Sequence, residues 1–161
     1  MVMKIKIICV GKIKEKYLKD AIDEYKKRIS RFATVEILEL SDEKIPDNAS
    51  KAQMDIVLKK EGDKIMEKIS PQDYLVTLCV EGKNLSSEEL AQEVSDICLK
   101  GNSTITFVIG GSLGIRDDIK KLSKLRLSFS RMTFPHQLMR VILLEQVYRS
   151  FKINANEEYH K

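Results

Sequence analysis

No run of apolar residues in this 161-residue chain approaches the 18 or so that a bilayer span requires, so no membrane segment is expected. The opening MVMKIKIICVGKIKEK turns charged too early for a secretory signal. Cysteine is scarce. Cys9, Cys79 and Cys98 are odd in number, lie in or beside apolar runs, and match neither a disulfide framework nor a zinc-site spacing. Buried, reduced thiols in a cytoplasmic protein, with no metal, are the expectation. No repeat, low-complexity tract or linker divides the sequence, so residues 1–161 are read as a single domain. At 43% hydrophobic and 32% charged residues, the composition is globular and not disordered.

Two missing motifs bear on function. The chain has glycines directly after an apolar run, in Phe107-Val-Ile-Gly-Gly-Ser-Leu-Gly114, yet Ile115 and Arg116 follow where a phosphate-binding GxxxxGK[ST] loop needs Lys and Ser or Thr. A dinucleotide fingerprint should follow the first strand as GxGxxG, with an acid about 20 residues on. The spacing here is GGxxG, after the fourth strand. The loop is either a tight strand-to-helix turn or a place where a ligand approaches the backbone at the end of a strand.

What is present is alternation. Apolar or β-branched runs at 4–10, 34–40, 74–80, 104–109 and a short one near 125–129 predict strands. Helices are predicted over 14–30, 51–69, 86–100, 115–122 and 135–152. Gly11 ends the first strand, Pro71 breaks the chain, Gly82 opens a loop, and Gly101 stops the third helix. Ser86 followed by Ser-Glu-Glu has the form of a helix cap, and Pro135 suits a first helical position. Alternating strands and helices argue an α/β fold with a mostly parallel sheet covered on both faces. The last helix, QLMRVILLEQVYRSF, is apolar on almost every side. It is either wholly internal or, as favoured here, partly covered by a second copy of the chain.

Charge is uneven. From Lys121 to Lys161 there are eight Lys or Arg against three acids, a surplus of five on a chain of net charge +4, so the remainder sums to −1. Both histidines, His136 and His160, also lie there. A basic end on a near-neutral body suits an anionic partner, although a solvated basic surface explains it equally. In Leu127-Ser-Phe-Ser-Arg-Met-Thr-Phe-Pro-His-Gln-Leu-Met-Arg140, short polar side chains precede a helix start, where they either bind a heterocycle edge or an anion, or cap their own helix. His136 and Arg140 share a helix face, for a helix-start hydrogen bond or for chemistry. Glu145 and Arg149 have the spacing of an intrahelical ion pair.

Taken together, FVIGGSLGI, LSFSRMTFPHQLMRVILLEQVYRSFKI and the terminal EEYHK closely resemble the bacterial RlmH family, the rRNA pseudouridine N3-methyltransferases of the SPOUT superfamily. The opening KIICVGKIKEKYLKDAIDEYKKRI and Leu78-Cys-Val-Glu-Gly-Lys83 are similar as well, and only Val2-Met3 is atypical. The resemblance spans essentially the whole chain. It implies an α/β fold of SPOUT type: a mostly parallel sheet, helices on both faces, a C-terminal trefoil knot and a homodimer.

It further implies S-adenosyl-L-methionine as cofactor, held by Leu78, Gly110, Gly111 and the segment Phe129, Ser130, Arg131, Met132, Thr133 and Phe134. The implied substrate is N3 of a pseudouridine in a hairpin loop of 23S rRNA of the large subunit, a base that can be splayed into a pocket. His160 is the expected base or substrate-positioning group, with Tyr159 and Lys161 beside it. This tail would close over the cleft of the other protomer, and Lys161 would meet phosphate or the developing anion. Arg131 either touches substrate or faces solvent. The competing functions are a non-catalytic rRNA- or ribosome-binding protein, and an α/β nucleotide-binding enzyme of flavodoxin-like build.

Overall fold

The residues of β1 (Met3–Val10) are buried along nearly the whole strand, as a central parallel strand with both faces covered must be. A computed structural model describes residues 3–159 of the chain. Along it, β1 is followed by α1 (Lys16–Ile29), β2 (Ala33–Leu40), α2 (Lys51–Lys68), β3 (Tyr74–Asn84) and α3 (Ser87–Leu99). Then come β4 (Thr104–Ile109), α4 (Asp117–Leu122), β5 (Leu125–Ser128) and α5 (His136–Asn154). The five strands form one parallel sheet in the order β2-β1-β4-β3-β5. That order is not the 2-1-3-4-5 of the flavodoxin-like build, which removes that alternative.

The period-two alternation of side chains divides the core into two layers. On one face Ile5, Ile7 and Cys9 of β1 with Ile105, Phe107 and Ile109 of β4 meet Leu18, Ile22 and Ile29 of α1, Val94 of α3, and Leu143, Leu144 and Val147 of α5. On the other, Ile8, Val10 and Val108 meet Ile65 of α2 and Ile119 of α4. Most of these side chains are fully buried, each worth about 1.5–3 kcal/mol relative to exposure. Helices therefore cover both faces, as expected from the alternation.

The Ser86 cap is present as a full capping box: its Oγ accepts from Glu89 N at 3.1 Å, and Glu89 Oε1 accepts from Ser86 N at 3.0 Å. Three expectations need correction. Gly82 does not open a loop, because β3 continues to Asn84. Its pairing with β5 breaks after Leu78 and resumes at Lys83 opposite Leu127. A Cβ on Gly82 would stand 2.8 Å from the Arg126 carbonyl, so glycine lets the strand lie against its neighbour as it resumes. Pro135 is the cap of α5 and not its first helical residue, with ψ at 133°. Finally, within a single copy of the chain, the wholly internal one of the two readings of α5 falls. Its buried residues are Arg140, Leu143, Leu144, Val147, Ser150 and Phe151, a single stripe, while Leu138 is exposed.

Candidate active site

At the carboxyl ends of β4 and β5, beside the point where β3 leaves its register, three segments converge on one cleft of about 670 Å³. Such a volume is that of a small-molecule site, and carboxyl strand ends are where open parallel sheets place them. The first segment, Leu78 to Glu81, is the stretch where β3 leaves its register with β5. The second runs from Ile109 to Ile115 and contains the glycine loop. The third runs from Leu127 to His136, missing only Arg131, and Met139 and Lys120 complete the lining.

Local chemistry explains each segment. In the second, Gly114 N donates to the Gly111 carbonyl at 3.0 Å, and Gly114 takes φ +83°, which glycine adopts without strain. A Cβ on Gly110 would lie 2.5 Å from the Gly114 carbonyl oxygen, so this fold-back needs glycine there. Arg116 pins the exit of the loop: it donates to the Lys59 carbonyl at 2.9 Å and pairs with Asp63 at 2.7 Å and Asp118 at 2.6 Å. In the third segment the Ser128 hydroxyl lies 2.9 Å from the Val80 carbonyl and 3.0 Å from that of Ser130, tying the segment to β3. Ser130 Oγ accepts from Met132 N at 3.0 Å, which shapes the turn.

The walls are mostly apolar, from Leu78, Ile109, Leu127, Phe129, Phe134 and Met139, with backbone edges between them. The titratable groups lining the cleft are Cys79, Glu81, Lys120 and His136. Lys120 pairs with Glu81 at 2.6 Å and holds that carboxyl below its usual range. Burial, with Glu81 adding to it, pushes the Cys79 thiol up. Burial, followed by the Arg140 charge, lowers the His136 imidazole, against a weaker opposing pull from Asp42. Behind Gly111 lies Glu61, buried, with Oε2 accepting from Glu43 N at 3.1 Å; burial raises its carboxyl.

Of the residues expected at the cofactor, Leu78, Gly110, Gly111, Phe129, Ser130, Met132, Thr133 and Phe134 all line this one cleft. Arg131 does not; it is exposed outside the lining. Tyr159 is not near it either. Its hydroxyl donates to Glu145 at 3.2 Å, its ring meets Tyr148 edge-on at 4.9 Å, and Arg149 stacks over it at 4.7 Å. At 1.5 Å per residue, that anchor is about 14–20 Å along α5 from His136. His160 and Lys161 lie outside the described residues. The Glu145–Arg149 pair forms as its spacing predicts.

Arg140, which shares a helix with His136, points elsewhere. It is fully buried, bonded to Glu39 at 2.7 Å and to the carbonyls of Val10 at 3.1 Å and Gly11 at 2.7 Å. It therefore belongs to the core and not to the basic surface, where Lys121, Lys124, Arg126 and Arg131 are exposed. No described residue hydrogen-bonds the His136 ring, so the helix-start role is not taken. Glu61 and Lys120 stand in no motif and carry no sequence signal of a place at the site, and Met139, though inside the LSFSRMTFPHQLMR stretch, is not singled out. Among the described residues no helix is long and apolar enough to cross a membrane, and no cluster of metal-binding side chains occurs.

The chain was compared with known proteins. A family profile described as "Predicted SPOUT methyltransferase" matches residues 3–160. Two clostridial proteins are similar over 99% of this chain and their entire length: one from Clostridioides difficile (strain 630) at 57% identity and one from Clostridium novyi (strain NT) at 58%. A protein of Streptococcus uberis (strain ATCC BAA-854 / 0140J) is 55% identical over the same span, and all three bear the name "Ribosomal RNA large subunit methyltransferase H". Among solved structures, that of a probable methylase family protein from Haemophilus influenzae Rd KW20 superposes with a TM-score of 0.58 at 11% identity, covering all of this chain and 72% of the other.

Proposed function

The chain belongs to the SPOUT methyltransferase family, and from that we propose that it is an S-adenosylmethionine-dependent rRNA methyltransferase acting on N3 of a pseudouridine in a hairpin loop of 23S rRNA. The observation that carries this reading is the convergence of Leu78, Gly110, Gly111, Phe129, Ser130 and Met132 to Phe134 on one cleft, in a chain 57% identical over full length to a protein named ribosomal RNA large subunit methyltransferase H. The reading includes the family's trefoil knot, a homodimer and a cytoplasmic site of action.

The cleft fits the cofactor. Its volume of about 670 Å³ accommodates a bent nucleoside with an amino-acid arm, and its apolar walls with open backbone edges suit an adenine ring. S-adenosylmethionine supplies a sulfonium-borne methyl group, an electrophile that needs no further activation. Leu78 with Phe129, Ser130 and Met132 to Phe134 would hold this cofactor, and the glycine loop would let it come close to the backbone. These walls exclude water and hold donor and acceptor in line, from which most of the rate enhancement of a displacement can come. Lys121, Lys124, Arg126 and Arg131 are exposed cations of this basic end and would meet rRNA phosphates, so binding weakens with salt.

The tail acts in trans. Because Tyr159 is anchored far along α5 from its own cleft, the group Tyr159, His160 and Lys161 closes over the cleft of the second protomer. There His160 positions the base or accepts its proton, and Lys161 contacts phosphate. The test is incubation with labelled methyl donor and ribosomes followed by mapping of the modified base. Transfer to a single pseudouridine is expected. Salt-sensitive rRNA binding without donor binding would instead make the chain a non-catalytic ribosome-binding protein.

A further inference from the structure

We propose that His136 accepts the N3 proton of the substrate base, from within the same protomer's cleft, as methyl transfer proceeds. The inference rests on the methyltransferase reading above and deepens it. Its ground is elimination within the cleft combined with geometry. N3 of a uracil-type ring carries a proton, and its lone pair becomes a good nucleophile only as that proton leaves, so a neutral acceptor must face the acceptor base. Of the four titratable side chains lining the cleft, Lys120 is an ammonium paired to Glu81 and has no free lone pair. Glu81 is bound to it and held acidic, which makes it a weak base. The Cys79 thiol is kept protonated.

His136 is different. It stands at the first position of α5, directly after the Phe129–Phe134 segment, and is half-buried in the cleft. No described residue engages its ring nitrogens. The charged groups whose fields reach it are Arg140, one turn on along its own helix, and Asp42 from the segment after β2. Burial, Arg140 and the positive end of the helix all disfavour an imidazolium, so the ring enters the reaction neutral with an open lone pair.

The step balances. The N3–H proton passes to a ring nitrogen of His136, and the N3 electron pair forms the new bond to the methyl carbon. The carbon–sulfur bond breaks with its pair left on sulfur as a neutral thioether. One positive charge leaves sulfur and one appears on the imidazole, which returns its proton to water after product release. His160, arriving from the partner, then orients the base.

The chain has two histidines, which makes the test direct. In protein labelled at histidine, two imidazole signals are followed against pH by NMR, with and without S-adenosylhomocysteine, and His160→Gln identifies the one belonging to His136. That signal is expected to titrate below the ordinary imidazole range and to move when S-adenosylhomocysteine binds; a signal indifferent to that ligand overturns the proposal without any change at His136. Single-turnover transfer at saturating donor is then compared for wild type, His136→Gln and His160→Gln. His136→Gln should bind donor within about twofold of wild type yet lose about 10²–10⁴ in rate. Its pH–rate profile should lack the limb along which wild-type activity falls as acid protonates the ring. If that limb survives in His136→Gln but vanishes in His160→Gln, the proton goes to the tail and this proposal fails. If wild type transfers no methyl group to ribosomes, the functional reading itself fails.

Discussion

Replacing Arg140 with Met tests whether one buried side chain fastens the cleft to the sheet. The guanidinium is fully buried and donates to Glu39 and to the carbonyls of Val10 and Gly11. Met keeps the apolar stem and roughly fills the space, so little of the effect is cavity. Glu39 is not stranded, since its side chain is 37% exposed and still accepts from Ile13 N at 2.9 Å. The cost falls on the two carbonyls. Each buried acceptor left without its donor costs about 1–3 kcal/mol. Because water can enter beside Gly11 once Glu39 is released, about 2–4 kcal/mol in total is expected. For a domain of this size that lowers the thermal midpoint by about 5–15 °C. Val10 lies against Gly111, 3.2 Å from where a Cβ on that glycine would stand, so donor affinity should also fall. Urea denaturation and calorimetry with S-adenosylmethionine measure the two effects. A variant within about 1 kcal/mol of wild type that binds donor normally would refute the assignment.

Gly111→Val should weaken donor binding more than it destabilises the fold, because its Cβ would meet Glu61 at 3.1 Å and Val10 at 3.2 Å and push the loop into the cleft; unchanged calorimetric affinity would show the pocket to be elsewhere. Asp73→Asn removes the carboxylate that pairs with buried Lys6 at 2.6 Å. Burial pushes Asp73 up, but the bonds from Lys6 and Ser70 N, with the Lys6 charge, outweigh it and hold the carboxyl low, so its stabilisation is full above about pH 4 and is lost as acid titrates it. The penalty in urea should be about 3 kcal/mol at pH 7 and should shrink towards pH 3; an equal penalty at both would contradict the pairing. Deleting Tyr159 to Lys161 should abolish methyl transfer while leaving donor affinity within about twofold, and wild-type turnover by the truncated chain would remove the tail from the mechanism.

The sheet and its helices were legible because their signals are local. Apolar runs of strand length, Ser86 with Glu89, and Gly101 after a helix each act within one turn of chain. Ser50 and Gln53 form a second capping box of the same kind, a signal present in the sequence but easily passed over in the polar SDEKIPDNAS stretch. The glycine loop and Phe129–Phe134 were legible as odd segments, and the resemblance joined them to Leu78. What stayed hidden depends on contacts far apart in sequence. Arg140 looks like any cation on a helix until the chain brings Glu39, Val10 and Gly11, more than 100 residues away, around it. Glu61 sits among charged neighbours on α2, and only tertiary packing behind Gly111 buries it. The continuation of β3 past Gly82 likewise follows from β5 pairing, which no local pattern encodes.

One helix links these features. The first residue of α5 faces the cleft, its fifth is bolted through Arg140 to the end of β1, and its tenth and fourteenth, Glu145 and Arg149, hold Tyr159. Arg140 thus serves fold and chemistry at once, since its charge also helps keep the neighbouring His136 neutral. Replacing it should therefore move the His136 titration upwards even where the fold survives. The same helix fixes where the tail can work. From an anchor some two and a half turns or more from the cleft, the backbone to His160 and Lys161 spans at most roughly 7 Å, at about 3.5 Å per residue. That is too short to return over 14–20 Å of helix. If the tail takes part in transfer while Tyr159 keeps this anchor, the cleft it completes belongs to another copy, and activity must fall with dilution as the dimer dissociates while each monomer still binds donor.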